Sequence, residues 1–163
     1  MRSKLAFLLV VFFILFLLVA RSYAEQSVSL SGGPATRNSS NEGSTAWKVE
    51  YAAEPFLVVP FGVSLAYVNE GSVPGHKRDE IAAKVEMFVP VSERFRVGAG
   101  AGPCRYNDTT LAGIQRGWGA VYGASAAYRL TKSVSAIASW DRVEAAGNGE
   151  SDLFLLGAKF SWK

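Results

Sequence analysis

Apolar residues recur at every second position along most of the chain after residue 24. The clearest run extends from Leu57 to Tyr67, where every odd position is apolar or aromatic and the even positions include Gly62 and Ser64. A period of two places alternate side chains on opposite faces of a β-strand. The same alternation returns near residues 28, 47, 81, 95, 118, 134 and 154, and no stretch of this region has a convincing helical period. The pattern therefore predicts eight strands.

The connections between the predicted strands alternate in length. Short turns, "EPF", "PVSER" and "LTKS", follow the second, fourth and sixth strands. Longer polar stretches, "PATRNSSNEGST", "EGSVPGHKRD", "DTTLAGIQR" and "EAAGNGES", follow the first, third, fifth and seventh. This layout is typical of a transmembrane β-barrel, and strands of about nine to eleven residues can cross a bilayer at a tilt. We therefore predict an all-β fold, an eight-stranded antiparallel up-and-down transmembrane β-barrel.

Two prolines affect where these strands end. Pro60 and Pro103 lie inside the predicted third and fifth strands, and proline has no N–H to donate to a β-ladder. We expect a bulge or a strand end at each of them. For the fifth strand, the sequence predicts an end near Gly102.

Alternation alone leaves two orientations of the apolar face open. A secreted lipocalin-like barrel would turn this face inward, whereas a membrane barrel would turn it toward lipid. Aromatic residues near the strand ends favour lipid, because amphipathic rings prefer the level of the headgroups. The opposite face is rich in Gly, Ala and Ser, which suits a narrow interior. The predicted aromatic girdle comprises Trp47, Tyr67, Trp118, Tyr128, Trp140 and Trp162.

In a lipid-facing barrel the charged residues of the strands point inward. The predicted interior charges are Lys48, Glu50, Lys84, Glu86, Arg129, Asp141 and Lys159. Eight strands leave an interior just wide enough for side chains to fill, and buried charges need partners of opposite sign. We therefore predict a lumen filled by ion pairs, with a gated channel as the alternative.

The first residues have the order of a secretory signal peptide. A basic start precedes an apolar run over residues 5–20, and Ala24 completes a small-x-small cleavage site. This run is shorter than the roughly 20 residues that a membrane-spanning helix needs. We predict a signal peptide over residues 1–24 and one barrel domain over residues 25–163.

Removal of the signal peptide changes the charge balance. The 17 Lys and Arg residues fall to 14, which equals the 14 Asp and Glu residues. No basic field then remains to attract nucleic acid. Cys104 is the only cysteine, which excludes an internal disulfide, and we expect it to be a small buried residue. With one histidine and scattered carboxylates, the sequence predicts no metal site, and we expect no cofactor.

The hairpin layout and the C-terminal strand "DLFLLGAKFSW" resemble the small eight-stranded outer-membrane barrels of the OmpX type and of the OmpA transmembrane domain. Such strands usually end on an aromatic residue, and here Trp162 is followed by Lys163. The resemblance implies export through the Sec pathway to the outer membrane of a Gram-negative bacterium. It also implies contact with outer-membrane lipid, lipopolysaccharide and the assembly machinery. The expected function is non-enzymatic: envelope integrity, adhesion or interaction through the surface loops.

The stretch "NEGSVPGHKRDE" offers a second hypothesis. It contains His76, and Ser72 and Asp79 could serve with it as nucleophile and orienting acid. Some small outer-membrane barrels are lipid A acyltransferases or deacylases, so the resemblance makes lipid A chemistry at the outer rim the alternative function. The favoured interpretation is a solvated rim, in which the charged residues over 77–80 meet lipopolysaccharide phosphates and bridging cations.

Overall fold

Eight antiparallel strands close into a barrel in which neighbours in sequence pair and the first strand pairs with the last. The computed structural model describes residues 24–37, 42–55, 60–73, 76–111, 113–145 and 149–162. The strands are β1 (Ala24–Arg37), β2 (Glu42–Pro55), β3 (Phe61–Val73), β4 (His76–Pro90), β5 (Phe95–Thr110), β6 (Gly113–Arg129), β7 (Val134–Ala145) and β8 (Gly149–Trp162). The predicted all-β, eight-stranded barrel is therefore confirmed. Residues 1–23 of the predicted signal peptide lie outside the described residues, and that prediction stays open.

Two short turns close one end of the barrel, which we call the turn end. Between β4 and β5, the amides of Val91 and Ser92 donate to the carbonyl of Phe95 at 2.9 and 3.0 Å. Between β6 and β7, the amides of Leu130 and Thr131 donate in the same way to the carbonyl of Val134. These are the predicted "PVSER" and "LTKS" turns. Of the third predicted turn, "EPF", Glu54 and Pro55 belong to β2, and residue 56 lies outside the described residues.

The opposite end, which we call the tip end, lacks the long loops that the sequence predicted. The strands continue through most of those polar stretches, so that only residues 38–41, 74–75, 111–112 and 146–148 separate them. The polar residues keep the alternation of two, and each of these segments pairs with at least one neighbouring strand. A polar composition was therefore compatible with continued pairing, and the loop prediction is wrong for most of these residues.

Pro103 lies within β5, so the prediction that the fifth strand ends near Gly102 is also wrong. Pro103 is opposite Ala120 in an unbroken ladder to β6. Pairing with β4 is interrupted between positions 101 and 104 of β5 and resumes in the same register. Because pairing with β4 is interrupted at this point, the missing N–H of Pro103 does not end the strand. Pro60 lies immediately before β3, and its carbonyl accepts a hydrogen bond from the amide of Phe88 at 2.8 Å.

We expect Gly102→Ala to destabilise the barrel by about 1–3 kcal/mol, the usual cost of overpacking. A Cβ atom at Gly102 would lie 1.8 Å from the backbone oxygen of Ala83, so β4 and β5 would have to move apart. Gly32→Ala is the matched control, because the nearest atom to its new Cβ would be 3.4 Å away. Urea unfolding in detergent measures the difference. Equal stability of the two variants would show that the strands separate without cost.

The outside of the barrel wall is apolar, whereas the inside carries most of the buried polar and charged side chains. Exposed side chains on the outside include Leu65, Val85, Met87 and Leu156, each more than half exposed. Of the predicted girdle, Trp47, Tyr67, Trp118, Tyr128 and Trp162 are exposed on this outer face, and Trp140 is half-buried. None of the described residues forms a helix long and apolar enough to cross a bilayer.

Candidate functional site

A network of ion pairs fills the middle of the lumen. Lys48 Nζ lies 2.7 Å from Asp141 Oδ2 and 3.0 Å from Glu50 Oε2. Lys84 Nζ lies 2.9 Å from Glu86 Oε1 and 3.2 Å from Asp141 Oδ1. The structure therefore brings together five of the seven predicted interior charges, contributed by β2, β4 and β7. Asp141 joins the two lysines, so each of these five charges has a partner of opposite sign.

The other two predicted interior charges lie nearer the turn end. Lys159 Nζ is 2.7 Å from Glu54 Oε1, and Arg96 holds the same carboxylate with two hydrogen bonds of 2.6 and 2.8 Å. The Arg96 guanidinium also lies over the ring of Phe88, 4.6 Å from its centroid. Arg129 is exposed at the mouth of the barrel, so its assignment to a buried lumen ion pair is corrected. It follows the inward alternation of β6 but stands where the strand ends.

A second polar cluster, which the sequence did not predict, lies inside the tip end. Arg78 is fully buried, with Nη2 3.1 Å from Asp108 Oδ2 and Nη1 3.7 Å from Glu70 Oε1. Arg37 approaches the other oxygen of Glu70 at 3.5 Å, and Ser151 Oγ donates to that oxygen at 2.9 Å. We call Arg37, Glu70, Arg78, Asp108 and Ser151 the tip cluster. It joins β1, β3, β4, β5 and β8 across the lumen.

An apolar layer separates the tip cluster from the middle network. It consists of buried side chains that include Ala66, Val68, Ala82, Cys104, Val121, Val143, Leu153 and Leu155. Cys104 is fully buried here. Cavities inside the barrel have volumes of about 380 Å³ at the turn-end mouth and about 60 Å³ beside the middle network. A cavity of about 10 Å³ lies where the network meets this layer, and Glu80 lines it together with Val68 and Leu153. One water molecule needs roughly 10–15 Å³, so this cavity is too small for a column of water.

The alternation of two in the sequence predicts part of the tip cluster, but the prediction of a loop over these residues hid it. Arg78 and Glu80 were expected in a solvated rim, but both are buried inside the barrel, at 0% and 1% exposure. Their neighbours Lys77 and Ile81 are exposed on the outside. The alternation of β4 thus continues into the segment "HKRDE". Extending the period of two through that segment would have placed both side chains in the lumen.

The predicted catalytic residues lie at the end of the β3–β4 hairpin. Ser72 pairs with Lys77 and Val73 pairs with His76, so Ser72 and His76 are not directly opposite each other. The side chain of His76 lies outside the described residues. Asp79 accepts hydrogen bonds from Tyr67 Oη at 2.9 Å and from the Asn69 amide, and Lys77 Nζ lies 3.6 Å away. Asp79 is thus held by residues other than Ser72, and this geometry gives the lipid A chemistry hypothesis no support.

Outside the lumen, charged residues form two different flanks at the tip end. On β7 and β8, Arg142 makes two hydrogen bonds of 2.9 and 2.7 Å to Asp152, beside the further acids Glu144 and Glu150. On β4, β5 and β6, three cations face outward with one acid, namely Lys77, Arg105 and Arg116 with Asp79. Within the described residues, no group of three or more His, Cys, Asp or Glu side chains could hold a metal ion.

Solved structures of outer-membrane proteins share this architecture. The N-terminal β-barrel domain of Pseudomonas aeruginosa OprF is 19% identical, with a TM-score of 0.65 over 85% of this chain and 99% of that chain. Neisserial surface protein A is 13% identical, with a TM-score of 0.63 over 85% and 97%. Ail, the attachment invasion locus protein of Yersinia pestis, is 12% identical, with a TM-score of 0.58 over 86% and 99%. No protein-family model and no curated protein sequence matches the chain.

These similarities establish the fold. The predicted resemblance to small eight-stranded outer-membrane barrels is confirmed at that level. Ail and the similar barrel OprG of Pseudomonas aeruginosa are outer-membrane proteins, which supports the predicted outer-membrane location. Identities this low do not carry residue roles over from those proteins to this chain.

Proposed function

We propose that this chain is a closed outer-membrane barrel that contributes to envelope integrity through its lipid-facing wall and its outer rim. The observation that carries the proposal is the filled lumen. Two ion-paired clusters and an apolar layer between them occupy the interior, and the space at that layer is about 10 Å³. Because no column of water fits there, transport through the barrel is disfavoured.

With the lumen closed, the exposed surfaces of the barrel carry the proposed function. The wall presents an apolar belt suited to acyl chains, and the tip end carries charged residues at the border of that belt. In the topology of such barrels the short turns face the periplasm, so the tip end faces the cell exterior. There the protein meets lipopolysaccharide and the cations that bridge its phosphates. Recognition of the C-terminal strand by the assembly machinery stays a prediction.

Planar-bilayer recordings test the closed lumen. We expect the reconstituted barrel to be electrically silent, because the layer around Leu153 and Leu155 excludes water. The variant Leu153→Ala/Leu155→Ala removes the two largest side chains of that layer and is expected to produce brief openings. Leu156→Ala, on the outer face of the same strand, is the matched control and should remain silent. Different gel mobility of boiled and unboiled samples verifies that each variant is folded.

Steady conductance steps from the unaltered barrel would contradict the proposal. They would show that the ion-paired lumen opens in a bilayer, and would favour the gated channel instead.

A further inference from the structure

We propose that a groove on the outside of β3, β4, β5 and β6 binds the phosphate group of an outer-leaflet lipid through Arg105 and Arg116. This inference rests on the proposed function, and it identifies the chemistry of the lipid that the outer rim holds. The groove has a volume of about 300 Å³ and lies where the apolar belt gives way to the charged tip end.

Two rows of outward-facing residues cross the four strands and form this groove. The upper row runs Asn69, Asp79, Asn107 and Arg116, and the lower row runs Tyr67, Ile81, Arg105 and Trp118. Arg105 and Arg116 are therefore diagonal neighbours on adjacent strands, within reach of a single anion between them. Asn107 lies directly opposite Arg116 and adds an amide donor.

Both arginines are exposed, and neither makes an ion pair with a carboxylate among the described residues. Arg105 instead lies over the ring of Trp118, 6.0 Å from its centroid, which holds the guanidinium at the wall. The nearest acid, Asp79, already accepts hydrogen bonds from Tyr67 and Asn69 and lies near Lys77. Two guanidinium groups thus remain available for a ligand anion, and their planar donors match phosphate oxygens.

The wall below the groove favours a lipid over free phosphate. The next outward positions of β4, β5 and β6 are Ala83, Pro103 and Ala120, which are small and exposed. Leu65 of β3 lies beside Ala83, and Glu144 of β7, which accepts a hydrogen bond from Tyr122, lies beside Ala120. The three small side chains leave room against the wall directly under Arg105. A ligand with a phosphate headgroup and acyl chains can occupy both parts at once, whereas an inorganic ion can use only the first.

The neighbouring flank on β7 and β8 provides an internal comparison. Arg142 also faces outward at the tip end, but its guanidinium is already bound to Asp152 at 2.7 Å. The acids Glu144 and Glu150 adjoin it, so that flank repels a phosphate unless a divalent cation bridges them. Lipid binding without divalent cations is therefore expected on the Arg105 flank alone.

Native mass spectrometry of the full mature barrel, released from detergent micelles, tests the inference. The probes are bis-phosphorylated lipid A and the same lipid without its phosphates, each added in the presence of EDTA. We expect Arg105→Gln/Arg116→Gln to retain about tenfold less bis-phosphorylated lipid A than the unaltered protein, since two charge-assisted contacts are lost. Arg142→Gln should bind like the unaltered protein. Arg105→Lys/Arg116→Lys should retain more lipid than the glutamine variant and less than the unaltered protein, because its charges remain while the planar paired donors are lost.

Equal retention of the phosphorylated and dephosphorylated lipids would overturn the inference, as would undiminished binding by the double glutamine variant. Displacement of the lipid by millimolar inorganic phosphate would also overturn it, because the site would then be one for a free ion. Each variant is checked for the mobility difference between boiled and unboiled samples. If the unaltered barrel is electrically silent but does not bind the lipid, only the lipid-binding inference is contradicted. If it conducts but binds the lipid, only the proposal of a closed lumen is contradicted.

Discussion

Replacing Arg78 with methionine is expected to lower the free energy of unfolding by about 3–5 kcal/mol, the range for breaking a buried ion pair by removing one partner. Arg78 is fully buried, and its guanidinium lies between Asp108 at 3.1 Å and Glu70 at 3.7 Å. Methionine fills similar space but leaves both acids facing one another near Glu80, which is itself buried. Arg37 would then be the remaining cation of the tip cluster, 3.5 Å from Glu70.

The matched control for this variant is its neighbour on the same strand. Lys77→Met changes the same charge at a side chain that is 53% exposed, where an ion pair contributes about 0–1 kcal/mol. Urea unfolding in detergent, followed by tryptophan fluorescence, measures both variants. If Arg78→Met and Lys77→Met lost equally little stability, the tip cluster would not hold β1, β3, β4, β5 and β8 together.

Leu65→Arg is expected to destabilise the barrel in lipid vesicles by about 2–4 kcal/mol, the cost of a cation on the lipid-facing side of a membrane barrel near the bilayer centre. Leu65 is 56% exposed on the outer face, opposite Tyr51 on one side and Ala83 on the other. Its exposure would be unremarkable in water, but in a bilayer it contacts acyl chains. The variant therefore tests which solvent surrounds the wall.

Thr45→Arg serves as the control for depth. Thr45 is an exposed outward residue of β2 toward the tip end, where the cost of a cation falls to about 0–1 kcal/mol. Unfolding from lipid vesicles should separate the two variants clearly. A Leu65→Arg protein as stable as the unaltered chain, and freely soluble without detergent, would mean that the apolar wall does not face lipid.

The tip end illustrates why part of the fold could not be predicted. The polar stretches after the first, third, fifth and seventh strands look like loops, because their composition is that of solvated residues. In the barrel each stretch pairs with at least one neighbouring strand, and β4 begins already at His76, paired with both β3 and β5. Whether a polar segment continues a ladder depends on partners distant in the chain, which local composition does not contain.

Some interior charges can be predicted from the sequence and others cannot. Lys48, Glu50, Lys84 and Glu86 were recognised because they lie inside clearly alternating segments. Arg78 and Glu80 were missed because they follow Pro74 and Gly75, which indicate a turn, and because they lie in a run of charges. Arg129 was assigned to the lumen by the same alternation, but the strand ends there and the side chain reaches the mouth.

From the sequence one can derive the number of strands, their antiparallel order and the face of each that is apolar, because a period of two is a local property of the chain. The extent of the strands, the meeting of Arg78 with Asp108 and Glu70, and the closed apolar layer follow only from the assembled barrel. Closure sets the register of all eight strands together, and this register determines which distant side chains share the same level of the lumen.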